Sequence, residues 1–295
     1  MIKKGLLYSL LSAVLLSTMN LFVKMLGSGI PSGEIAFFRG LFGTVAVLVV
    51  MYMKGIRFST EDRGLLIMRG LYGGFGMVCN FIALVHMKMS DATILFQTSG
   101  IFVFIFSALF LKEAVPKGAG KWLILIFLAV MVMVNPFSYE SFTWYAVIAL
   151  LGAALSAAAY TTIRSISKHG QHSNFEIMAY FLVTGMIAGL VTTDGFVLPQ
   201  GVEWLIILAI GSITVVAQFF LTGAFIATNA VVAQFLQYIG VFISAFYGFL
   251  FFGESLAIET VLAGIAMFIA SVMLARLKEQ AGPIKDGKVI EDKIQ

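Results

Sequence analysis

The sequence predicts an all-α integral membrane protein of ten transmembrane helices, arranged as two inverted five-helix repeats. Three observations carry this expectation. The chain is 60% hydrophobic and only 12% charged, with a mean hydropathy of +0.99, whereas soluble domains average about 25% charged residues. Its apolar residues fall into runs of the roughly 20 residues that a helix needs to cross hydrocarbon. The second half also repeats the first. The stretch Ala92-Thr93-Ile94-Leu95-Phe96-Gln97 through Glu113 returns about 140 residues later as Ala233-Gln234-Phe235-Leu236-Gln237-Tyr238 through Glu254. Leu10-Leu11-Ser12-Ala13 to Lys24 matches Leu150-Leu151-Gly152-Ala153 to Arg164, and Glu34-Ile35 falls near Glu176-Ile177.

The spans are read near residues 5–26, 33–53, 66–86, 90–111 and 119–135, then 143–164, 175–193, 203–225, 230–252 and 258–277. The first follows Lys3-Lys4 and imitates a signal peptide, but it is longer than a usual apolar core and ends at no clear cleavage site, so it is kept as a helix. Short links with turn formers separate the spans: Gly27 to Gly33 with Pro31 inside, Asn135-Pro136, and Asp194-Gly195 to Gly201 with Pro199 inside. Residues 1–136 form the first repeat, 137–278 the second, and 279–295 a polar, disordered cytoplasmic tail.

Charge placement orients the bundle. With the N-terminus inside, 16 of the 19 basic residues lie in cytoplasmic segments; Lys24, Arg39 and Lys88 are the others. Arg69, at the start of span three, is counted among the inner ones, and the links 136–142 and 194–202 face outward. The expectation is a multi-pass protein of the cell (inner) membrane with both termini cytoplasmic. The net charge of +4 does not point to nucleic acid, because no basic stripe with interleaved aromatics occurs. Cys79 stands alone, so no internal disulfide braces the fold.

An odd number of spans per repeat inverts the second copy in the membrane. Inverted repeats are the architecture of alternating-access carriers, with substrate held between the halves. The Glu34-Ile35-Ala36-Phe37-Phe38-Arg39-Gly40 opening of span two and the Ser90-Asp91-Ala92-Thr93 opening of span four add to this. So do Leu111-Lys112-Glu113 and Phe252-Gly253-Glu254, which end spans four and nine. Together, over residues 5–277, these resemble the EamA-type members of the drug/metabolite transporter superfamily. The resemblance implies export or exchange of small metabolites such as amino acids, nucleosides or related compounds, without identifying the substrate. One departure is that family members often carry Pro near the middle of spans four and nine, where this chain has Gly100 and Val241.

Polar groups inside apolar runs are the candidate substrate contacts, since each wants a partner in hydrocarbon. They are Asn20, Asn80, Gln97, Thr98, Tyr160, Gln218, Gln237 and Tyr238. Tyr72, within the glycine-rich Arg69–Gly76 stretch, joins them. Each could equally be interhelical glue, but the resemblance places a central cavity among the spans that carry them. Arg39 reads either as an anchor for a carboxylate or phosphate, or as a structural cation braced by a carbonyl or by Glu34; bracing is slightly favoured. Lys24 and Arg164 read as helix-end side chains that snorkel to headgroups. Gly70 and Gly74 read as a helix-packing pair or as a flexible gate.

No Asp or Glu sits in the middle third of any span, so coupling through a mid-membrane acid is unsupported and exchange or facilitated diffusion gains weight. An intramembrane enzyme is the alternative from another class, and a non-transporting scaffold a third. No Gly-x-Ser-x-Gly occurs, and the His169–His172 pair has no evident ligand partners in sequence. No cofactor or metal is expected. The expected partners are a small-molecule substrate and the lipid bilayer, with homodimerisation left open.

Overall fold

A computed structural model describes residues 2–111, 116–134, 143–169, 172–193, 195–227, 230–255, 258–280, 284–285 and 288–289. The Lys112-Glu113 end of span four, the 136–142 link and most of the tail lie outside these residues. Among the described residues, eight helical segments are long and apolar enough to cross a membrane, and two shorter apolar helices bring the total to ten. The first half comprises α1 (Ile2–Leu26), α2 (Ser32–Met53), α3 (Arg63–His86), α4 (Met89–Gln97), α5 (Ser99–Phe110) and α6 (Ala119–Val134). The second comprises α7 (Trp144–His169), α8 (Asn174–Thr192), α9 (Val202–Ala227), α10 (Ala230–Leu236), α11 (Ile239–Phe252) and α12 (Ile258–Gln280). Past α12, Ile284–Lys285 pairs antiparallel with Lys288–Val289.

The packing repeats with the sequence. Span one (α1) packs on span eight (α9), and span six (α7) packs on span three (α3) in the same way. Spans two and seven (α2, α8) pack on each other, as do spans five and ten (α6, α12). Inversion of the second repeat is what makes each of these interfaces occur twice or map onto itself. Small residues permit the closest approaches. A Cβ on Gly40 would come within 2.6 Å of the Met186 backbone nitrogen, and one on Gly189 within 2.6 Å of the Gly33 oxygen. Gly70 and Gly74 abut α8 at Tyr180 and Gly185, so the pair serves packing. Phe and Leu side chains such as Leu109, Phe110 and Phe249 point outward, where lipid tails are as apolar a solvent as the protein interior.

Spans four and nine are each broken at the same place in the repeat, without a proline. At Thr98 the chain makes short turns, with Thr98 N donating to Leu95 O (3.1 Å) and Ile101 N to Thr98 O (2.9 Å). At Gln237-Tyr238 the same spacing recurs, with Gln237 N donating to Gln234 O (3.1 Å) and Gly240 N to Gln237 O (2.9 Å). These i→i−3 bonds tighten the helix and free carbonyls that water cannot satisfy in the membrane. The two breaks therefore brace each other. Gln97 Nε2 donates to Gln237 O (2.5 Å), and the Tyr238 hydroxyl donates to Gln97 O (3.0 Å).

Candidate functional site

Where the two breaks meet, a cavity of about 90 Å³ opens between the halves, enough for several water-sized positions. Its wall draws on α1, α2, α3, α4, α7, α8, α9 and the α10–α11 break. Of the ten residues expected to contact substrate, Asn20, Arg39, Asn80, Gln97, Tyr160, Gln218 and Gln237 line it. Three lie elsewhere. Thr98 turns its hydroxyl back to Leu95 O (2.7 Å), Tyr238 spends its hydroxyl on Gln97 O, and Tyr72 is half-buried outside the lining. Thr98 and Tyr238 thus hold the helix breaks in shape.

The lining polar groups divide by whether their bonding capacity is already used. Gln97 accepts from Gln234 Nε2 (2.8 Å) while donating to the opposite break, and Gln237 Nε2 donates to the Ser12 hydroxyl (2.7 Å). These amides chiefly join the repeats. By contrast Asn20 Oδ1, Gln218 Oε1 and Gln234 Oε1 are buried with no hydrogen-bond partner among the described residues. Orphaned buried acceptors are costly, and here they border an open space. Tyr160 stacks on Phe225 with ring centroids 4.5 Å apart, which fixes the plane of its phenol.

Two cations share this space. Arg39 is 2% exposed. Glu34 does not brace it, because Glu34 Oε2 accepts from the Val197 backbone N–H (2.8 Å) and so ties the α8–α9 link to span two. Glu176, its counterpart in the second repeat, accepts from Ser59 N (2.6 Å) in the α2–α3 link. Arg39 instead rests its Nε on Met19 Sδ (3.4 Å) and Nη1 on Met77 Sδ, between the Phe81 and Phe181 rings. Thioethers are weak acceptors, and ring faces offer a cation modest stabilisation.

Arg69 is the second cation and the residue that sequence reading missed. It is not a topology marker at the membrane face: it is 1% exposed, lines the cavity and lies 4.5 Å from the Phe181 ring centroid. Its Nε and Nη1 have no hydrogen-bond partner among the described residues. Gly73, one turn on, makes room for it, since a Cβ there would collide with Arg69 Nη1 and the Phe181 ring. An arginine followed four residues later by glycine was the available signal. Among the described residues, neither arginine has a carboxylate partner, and no Asp or Glu lines the cavity.

Beyond this cavity, the end of α1 in the first repeat meets the end of α11 in the second. Lys24 does not snorkel outward; its Nζ pairs with Glu254 Oε1 at 2.7 Å and donates to Leu84 O and Met87 O. Glu254 Oε2 accepts from Met89 N (2.8 Å). Gly253 makes this possible, because its left-handed backbone (φ +61°) ends α11 and folds Glu254 back onto it. In the inverted position, Arg164 Nη1 likewise turns inward to Ile226 O (3.2 Å). His172 does have acidic neighbours, Glu176 at 3.1 Å and Asp62 at 3.4 Å. Still, no group able to hold a metal occurs among the described residues.

Comparison with known proteins adds to this geometry. The model of the EamA-like transporter family matches residues 3–135 and 144–276. The pseudopaline exporter CntI of Pseudomonas aeruginosa is 36% identical over 281 residues, covering 95% of this chain and 98% of the relative. A riboflavin transporter of Brucella anthropi is 28% identical, covering 84% and 89%. An S-adenosylmethionine uptake transporter of Rickettsia felis is 26% identical, covering 85% of each. A solved crystal structure shares the fold, with a TM-score of 0.68 at 14% identity over 94% of this chain and 98% of its own.

Proposed function

Because the chain belongs to the EamA-like transporter family, we propose that it is a secondary carrier working by alternating access, which exports or exchanges a small metabolite across the inner (plasma) membrane. It is a small-metabolite transporter rather than an enzyme, as its relatives are. The observation that carries the finer reading is the cavity at the junction of two inverted repeats, bordered by unsatisfied polar groups and two buried cations. In this reading substrate displaces nothing structural: it meets Asn20, Arg39, Asn80, Tyr160 and Gln218, while Gln97 and Gln237 hold the repeats together beside it. The repeats correspond to residues 1–136 and 137–278, with both termini cytoplasmic.

Export is supported by the relative named as an exporter, whose likeness spans nearly the whole of both chains. The relatives named for riboflavin and S-adenosylmethionine leave the substrate open. Exchange is supported by the lack of a carboxylate in the described lining, since such acids commonly act as proton relays. The test is reconstitution of the purified protein into liposomes loaded with amino acids, nucleosides, S-adenosylmethionine and dicarboxylates. Protein-dependent efflux of at least one class, accelerated by the same compound outside, is expected. Efflux no faster than from protein-free vesicles would defeat the carrier reading.

A further inference from the structure

We propose that the cavity is built for a dianion: a small organic molecule with two negative charges, carboxylate or phosphate, clamped between Arg39 and Arg69. This deepens the carrier reading and rests on it only for the cavity's role as the substrate site. Both guanidinium groups are buried, both border the same cavity, and both flank the ring of Phe181. A buried ion without a counter-ion is strongly disfavoured. Two like charges in one low-dielectric space add their repulsion to that cost.

What faces them cannot compensate. Arg39 has two thioethers and two ring faces, and Arg69 has a ring face and two unpartnered nitrogens. The other polar groups of the described wall, such as Asn20, Asn80, Tyr160 and Gln218, are neutral amides and a phenol. A neutral ligand would leave both cations uncompensated, a monoanion would leave one, and a cation would add a third. A dianion brings the site to neutrality, and each guanidinium offers the planar fork that carboxylate and phosphate oxygens fit. The neutral amides then serve the rest of the molecule. The same arithmetic favours exchange, because the empty carrier must carry two bare charges through its transition and the loaded carrier need not.

The test is thermal unfolding of the detergent-purified full chain at fixed ionic strength. It is titrated with dicarboxylates of three to six carbons, their monoamides and diamides, and inorganic phosphate. Ligand that binds only the folded state raises the midpoint by mass action. A saturable rise is expected for a dicarboxylate or for phosphate, with the monoamide binding about tenfold or more weakly and the diamide giving no shift. The stronger of the two dianions identifies which acid group the site prefers. Arg39→Gln and Arg69→Gln should each abolish the preference for dianion over monoanion. Arg69→Gln should also melt no lower than the parent without ligand, since an uncompensated buried charge has been removed.

Equal shifts for dianion and diamide, or no saturable shift from any dicarboxylate or phosphate, would overturn the inference. So would an Arg69→Gln protein that melts lower yet keeps dianion selectivity, which is the behaviour of a purely structural arginine. Should Arg69→Gln not purify, Arg69→Lys keeps the charge and loses the fork, and must bind dicarboxylate more weakly. Selective dianion binding without liposome transport would sink the carrier reading alone. Transport of diamides as readily as diacids would sink this inference alone.

Discussion

Replacing Glu254 with Gln should unlatch the face where Lys24 and Glu254 meet, which is the outer one in the proposed topology. The Lys24–Glu254 pair spans 2.7 Å with both side chains only 11–12% exposed, so it behaves as a buried ion pair. Removing one partner of such a pair costs about 3–5 kcal/mol. Here Lys24 keeps its bonds to Leu84 O and Met87 O and lies 5.3 Å from the Phe252 ring centroid. The glutamine can still accept from Met89 N. These residual contacts place the loss at ~2–3 kcal/mol, a shift of roughly 30- to 150-fold toward an outward-open state. The assay is labelling of Ser17→Cys, on the cavity wall, by a membrane-impermeant thiol reagent added outside, in a Cys79→Ser background. The parent should label slowly and the Glu254→Gln protein one to two orders of magnitude faster, with Lys24→Met doing the same. Unchanged labelling in both variants would refute the latch.

Three further outcomes follow from the same geometry. In intact cells lacking Cys79, a cysteine at Gln200 should react with an impermeant reagent and one at Lys117 should not; the reverse pattern would invert the proposed topology. Gly189→Val should lower the thermal midpoint or the yield of monodisperse protein, because even a Cβ there would lie 2.5 Å from Phe37 N. Overpacking of this kind costs about 1–3 kcal/mol, and a normal melt would contradict the close α2–α8 approach. Tyr238→Phe should leave the Gln97 carbonyl unsatisfied at the helix break, lowering stability by ~1–3 kcal/mol with ligand selectivity unchanged; altered selectivity would place Tyr238 in the site after all.

The spans and their repeat were legible because the bilayer enforces both length and apolarity, and because an odd repeat must invert. Most of the cavity wall was legible for a related reason. Asn20, Asn80, Tyr160 and Gln218 are polar groups in hydrocarbon runs, and such groups persist only where a partner or a cavity receives them. The helix breaks were not visible, since no proline marks them; they depend on Gln97, Gln237 and Tyr238 satisfying carbonyls some 140 residues away. Arg69 was misread because nearness to a span end looks like snorkelling in one dimension. Only the fold shows that its side chain turns inward past Gly73. Lys24 was misread in the same way, and its partner Glu254 belongs to the other repeat.

If substrate crosses through the cavity, the Lys24 and Glu254 ends of the two repeats must separate to release it. A Cβ at Gly248 would lie 3.5 Å from the Met89 Cβ, within the range that a disulfide spans, and it would crowd only the flexible carboxylate end of Glu254. The measurement is efflux from proteoliposomes containing the Met89→Cys, Gly248→Cys protein without Cys79, before oxidation, after it, and after reduction. Oxidation should stop efflux of whichever metabolite the parent protein carries, and reductant should restore it. Fully cross-linked protein that transports at the reduced rate would contradict alternating access through this cavity.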